Sequence, residues 1–217
     1  SKGLLRNWEA HQSEDVHHCT PWPRRLLLAV VLHLVQSRDL HLFFTGVVAL
    51  AHFFTLARVW EIDRLTANRI LLPESLAVAG AGCSYLVIAL GRTKTRLNDS
   101  LKLSSSDPHE LTAYTVVALV RAWTEHRPEL RWAPDYGAVL MGGLRSVGVF
   151  SDFVARGVRA GGAVDCLRRG MTPDTVLVKG RWAGFSVPVR AYLRELDCLL
   201  AEANIDSGVL ASHMMRW

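Results

Sequence analysis

Arg58, Lys94, Arg156, Arg159, Trp182 and Tyr192 are the residues of this chain whose types could do chemistry together. Guanidinium groups clamp anionic oxygens with paired, charge-assisted hydrogen bonds. An ammonium can protonate a leaving oxygen. An indole N–H donates a single hydrogen bond. A tyrosine hydroxyl can act as a nucleophile and hold the product covalently. Such a set suits attack on a phosphodiester, where negative charge builds on the two non-bridging oxygens and must be neutralised. By type, arginines such as Arg58 and Arg159 suit the clamp, a lysine such as Lys94 the general acid, a tryptophan such as Trp182 a phosphate donor and a tyrosine such as Tyr192 the nucleophile. The chemistry needs neither a metal nor another cofactor.

Each residue also has an ordinary reading. Arg58 can cap the carbonyls of a helix end. Lys94 sits among Arg92, Arg96 and Lys102, as on a solvated face. Arg156 and Arg159 can pair with Asp152 or Asp165. Trp182 can anchor a core, and Tyr192 shares a helical face with Leu196 and Leu199.

The elements that must position these residues are mostly helical. Residues 1–20 are polar and read as an arm or linker. Pro21 and Pro23 precede an apolar helix over Arg24 to Gln36. A second helix is expected from Asp39 through Arg58, with a restart near Ile62. Ser84 to Leu90 and Ser100 to Leu103 read as strands of a β-hairpin with a basic tip. Helices are expected from Ser106 to Glu125, from Tyr136 to Arg159 with glycine interruptions, and from Gly161 to Arg169. Thr172-Pro173-Asp174 caps a short helix ending at Gly180, and Pro188 to Ala203 forms the last helix. The expected fold is mainly α with a small antiparallel sheet (α+β). Residues 21–204 would form one domain and residues 205–217 a C-terminal tail.

Four segments carry a resemblance. Ala57-Arg58-Val59-Trp60-Glu61 opens the pattern R-x-x-E-x-x-x-L, which closes at Leu65. Gly91-Arg92-Thr93-Lys94-Thr95-Arg96 lies on the hairpin. Arg156-Gly157-Val158-Arg159-Ala160-Gly161-Gly162-Ala163 precedes Gly180-Arg181-Trp182, and Arg190-Ala191-Tyr192-Leu193-Arg194 follows. In this order they resemble the boxes of the tyrosine recombinase catalytic domain, closest to the form in eukaryotic retroelements and cryptons. Leu167-Arg168-Arg169-Gly170 imitates the second arginine box but leaves only ten residues before Gly180. The Gly161-Gly162-Ala163 match sets the register instead. Trp182 then follows Arg159 by 23 residues and Tyr192 follows it by 33.

The resemblance implies DNA cleavage and rejoining through a 3′-phosphotyrosine, as in site-specific recombination or integration by a mobile element. It implies Arg92, Arg96, Lys179 and Arg181 as DNA contacts. It also implies homo-oligomers on DNA built through the amphipathic C-terminal tail that follows Tyr192 and runs through Asn204, and a nuclear or nucleoid location. One departure stands out. The family's histidine, three residues before the second arginine, is here Arg156, which cannot accept the tyrosine proton. A catalytically impaired, domesticated protein that binds DNA or protein is therefore the main alternative.

The bulk properties agree with an anionic partner. The 217 residues carry a net charge of +5, with an isoelectric point of about 9.3, as expected for nucleic acid or an acidic surface. Half of the chain is hydrophobic, enough for a core. The cysteines at 19, 83, 166 and 198 form no C-x-x-C pair, so they read as free thiols. Leu40 to Ala57 is an apolar run near the lower limit for a membrane span. A membrane-associated helical protein is thus a second alternative, with a buried core helix as the expected reading.

Overall fold

The computed structural model describes residues 19–76, 83–91, 99–149 and 153–182. In chain order the elements are α1 (Arg24–Val35), α2 (Leu40–Thr55), α3 (Val59–Ile62), a 3-10 turn (Ala67–Arg69), β1 (Ile70–Leu71) and α4 (Pro73–Leu76). There follow β2 (Tyr85–Gly91), β3 (Asp99–Ser104), α5 (Leu111–Trp123), α6 (Tyr136–Ser146), α7 (Gly157–Arg168) and α8 (Pro173–Gly180). The described residues are thus mainly helical, with one three-stranded antiparallel sheet in the order β1-β2-β3.

Helix α2 is the axle of the fold. Every residue from Phe44 to Thr55 is buried, as expected for a helix that is apolar on all sides. Asp39 starts it by accepting the His41 N–H at 2.8 Å, and Leu56 ends it in a left-handed conformation. It packs against α1, α5, α6, α7 and β3. The apolar run 40–57 is therefore a core helix with a tail. Among the described residues no helix is long and apolar enough to cross a membrane.

The hairpin pairs as its alternating sequence demands. In β3, Asp99, Leu101 and Leu103 face inward while Ser100 and Lys102 face out, and Leu101 pairs with Ile88. The third strand, β1, has only two residues, too few to leave an alternation in the sequence.

Two helices differ from expectation. The one expected from Ser106 begins at Leu111. Asp107 accepts the His109 N–H at 2.9 Å, and Glu110 reaches back to the Ser104 N–H at 3.0 Å. These side-chain bonds hold residues 106–110 as turns in place of a first helical turn. The stretch expected to run from Tyr136 to Arg159 is two helices. Gly148, at φ 81°, closes α6, and α7 starts at Gly157.

Candidate functional site

The first arginine sits where α2 ends. Beyond the left-handed Leu56, Arg58 is extended and serves as the N-cap of α3. Its backbone N–H donates to Glu61 Oε2 at 2.6 Å, and its Nη1 donates to Glu61 Oε1 at 3.0 Å. The R-x-x-E spacing makes this possible, because residues three apart share a helix face. The Glu61 side chain is fully buried.

The second arginine is set by α7. Its glycines 161 and 162 let the helix press against two backbones. A side chain on Gly161 would strike the backbone of Trp22, and one on Gly162 the Phe53 carbonyl of α2. Arg159 then reaches the end of α8. Its Nη2 donates to the Gly180 carbonyl at 2.5 Å, and its guanidinium lies 4.4 Å from the Trp182 ring centre, close enough for a cation–π contact. The Trp182 backbone N–H returns to the Leu177 carbonyl at 3.0 Å. A side chain at Gly180 would occupy the space of the Trp182 ring.

Arg181 joins the two halves. It takes a left-handed backbone at φ 57°. Its Nη2 donates to Glu61 Oε2 at 2.5 Å, and its Nη1 lies 3.6 Å from Asp99 Oδ2. Arg58, Glu61 and Arg181 thus form one ion-pair network with Asp99, the first residue of β3. Gly180 and Trp182, on either side of Arg181, hold Arg159. Segments 58–61, 99, 159 and 180–182 meet at one place.

The remaining residues named from the sequence are placed as follows. Arg156 is exposed at the start of α7, one turn before Arg159. Lys179 is ion-paired with the buried Glu110. Arg92, Lys94, Arg96 and Tyr192 lie outside the described residues. Arg169, the arginine of the imitation box, is 3.0 Å from Asp165 and 3.1 Å from Asp107. An open cleft of about 660 Å³ runs beside the network, lined by Lys102, Lys179 and Arg181 and by Asp99, Asp107 and Glu110.

Sequence reasoning recognised Glu61 only as a letter of a motif and missed its part as the shared anion. It also missed Asp99, and the buried pair beneath the site. His52 Nδ1 and Tyr136 Oη are 2.8 Å apart. Burial, then the charge of Arg159, lowers the pKa of His52 to about 3, and burial raises that of Tyr136 well above its ordinary value. His52 is therefore neutral at any ordinary pH and adds no positive charge beside Arg159. Among the described residues no group of His, Cys, Asp or Glu is arranged to hold a metal ion.

Compared with known proteins, the chain matches no family model and no curated sequence.

Proposed function

We propose that this chain is a tyrosine recombinase catalytic domain that cleaves and rejoins DNA, with Tyr192 as the nucleophile. The observation that carries the reading is the meeting of Arg58, Arg159, Arg181 and Trp182 around Glu61 and Gly180. Arg58 and Arg159 come from boxes far apart in sequence, and the resemblance requires them at one phosphate. The match of Gly161 and Gly162 to a close helix contact supports the same register.

In the proposed reaction Tyr192 Oη attacks the scissile phosphorus. The P–O5′ bond breaks as the 3′-phosphotyrosine bond forms. Arg58 and Arg159 neutralise the non-bridging oxygens. Lys94 gives its proton to the departing 5′ oxygen. Rejoining is the reverse, with a 5′ hydroxyl attacking the phosphotyrosine, so the backbone bond energy is conserved. Arg156 adds positive charge at the rim. It cannot take the Tyr192 proton, so water or another group does.

The test is a DNA substrate nicked beside the cleavage site, which traps the covalent complex by releasing the leaving strand. The expected result is a protein–DNA adduct that Tyr192→Phe abolishes. Arg159→Ala should slow adduct formation by about 10²–10³-fold. DNA binding without any adduct would overturn the enzyme reading. It would favour the second one, a recombinase-like domain that binds DNA without cutting it, for which Arg156 in the histidine position is the motivating residue.

A further inference from the structure

We infer that Arg181 is a positioning residue, which aligns the phosphate-clamping arginines with the base of the hairpin, and not a DNA contact. The inference rests on the proposed cleavage reaction and assigns Arg181 a part in it.

The Arg181 side chain is only 6% exposed. Its two terminal nitrogens are turned to different elements. Nη2 is held by Glu61, the anion that also fixes Arg58 through both its backbone and its side chain. Nη1 faces Asp99, whose side chain is likewise 6% exposed, at the start of β3. The left-handed backbone of Arg181 turns the chain between its neighbours. Gly180 on one side accepts from Arg159, and Trp182 on the other lies under the Arg159 guanidinium.

One residue therefore links Arg58 through Glu61, the hairpin through Asp99, and Arg159 through the adjoining backbone. Arg181 Nε and Nη1 make no hydrogen bond to the described residues, but both are buried, so the guanidinium presents almost no surface to DNA. The planar fork of arginine spans two anions in fixed directions, which an ammonium does not reproduce. When Arg181 is lost, Glu61 keeps only Arg58 and Asp99 loses its facing charge, among the described residues. Bound DNA would then meet arginines whose spacing is no longer set.

The experiment compares the unaltered full chain with Arg181→Met, Arg181→Lys and Asp99→Asn. Two quantities are read: the single-turnover adduct rate on the nicked substrate at saturating DNA, and DNA affinity as a function of salt. Arg181→Met should lower the saturated rate at least tenfold. Arg181→Lys should recover only part of it, and Asp99→Asn should lower it severalfold. The slope of log affinity against log salt should stay unchanged in Arg181→Met. A residue that contacts a DNA phosphate behaves otherwise: its loss lowers that slope by about one unit and weakens binding uniformly. A slope lowered by one with the saturated rate retained would overturn the inference and make Arg181 a DNA contact. If Arg181→Met does not fold, Asp99→Asn decides, since it leaves the Arg181–Glu61 pair intact. A wild-type rate in that variant would count against the inference. Should the unaltered chain form no adduct, the functional reading itself fails. An adduct in the unaltered chain with equal rates in all variants would remove only the part given to Arg181.

Discussion

A guanidinium has five N–H donors, and Arg159 directs one of them to the Gly180 carbonyl while Trp182 covers one face of its plane. His52, buried and neutral, adds no positive charge beside it. That neutrality has a thermodynamic signature. The pKa of His52 falls from 6.5 to about 3 on folding, so the unfolded chain takes up the proton first. The contribution of His52 to stability is complete above about pH 6.5 and is lost as pH falls toward 3, by about 1 kcal/mol per pH unit. Denaturant unfolding between pH 7 and 4 should show this slope, and His52→Gln should remove that share of it. Glu61 gives a second expectation at this scale. Glu61→Ala removes the buried anion shared by Arg58 and Arg181, leaving Arg181 only the longer pair with Asp99 among the described residues, and should cost about 3–5 kcal/mol, the usual loss when one member of a buried pair is removed. Urea midpoints measure it; a change under 1 kcal/mol would show that the network holds no strain of charge. The arginines were legible in the sequence because their motifs have short fixed spacings. The partnership of Glu61 with Arg181 was not, since 120 residues separate them and no local pattern records a pairing of that span.

Among the elements, α7 is the one whose sequence dictates its place. Its two central glycines are required by close backbone approach, whereas Gly142 on α6 has open space around it. Gly162→Ala should therefore overpack the contact with α2 and destabilise by about 1–3 kcal/mol or more. Gly142→Ala should stabilise by about 0.5–1 kcal/mol, because alanine is the better helix former. Thermal unfolding of the two variants should move in opposite directions; a shared direction would misplace α7. The same physics explains what could be read beforehand. Helices α1, α2 and α8 and the hairpin carry strong periodicity or clear caps, and all were expected within a few residues. Strand β1 was not expected, because two residues carry no period. The late start of α5 was hidden because Glu110 and Asp107 bond to nearby N–H groups, a choice made by side chains that a hydrophobic pattern does not register.

At the scale of the whole molecule, Trp22 ties the start of the described chain to its later half. It is fully buried; its backbone N–H donates to the Gly157 carbonyl at 3.1 Å and its Nε1 to the Val154 carbonyl at 3.0 Å. Trp22→Ala should cost about 3–5 kcal/mol and, because α7 carries Arg159, should also slow adduct formation at temperatures where the fold survives. Calorimetry together with the nicked-substrate assay tests both effects, and a loss of stability alone would detach the two. Finally, α2 and α8 end at the same place. The carbonyl end of a helix carries about half a negative charge, and here the end of α8 holds Arg159 through the Gly180 carbonyl while Arg58 follows two residues after the cap of α2. The fold thereby gathers three guanidinium groups in advance, with the Gly180 carbonyl and Glu61 acting as built-in counterions. If the proposed reaction holds, an incoming phosphate would exchange partners with the Gly180 carbonyl instead of gathering scattered charges, so the cost of bringing like charges together has already been met in folding.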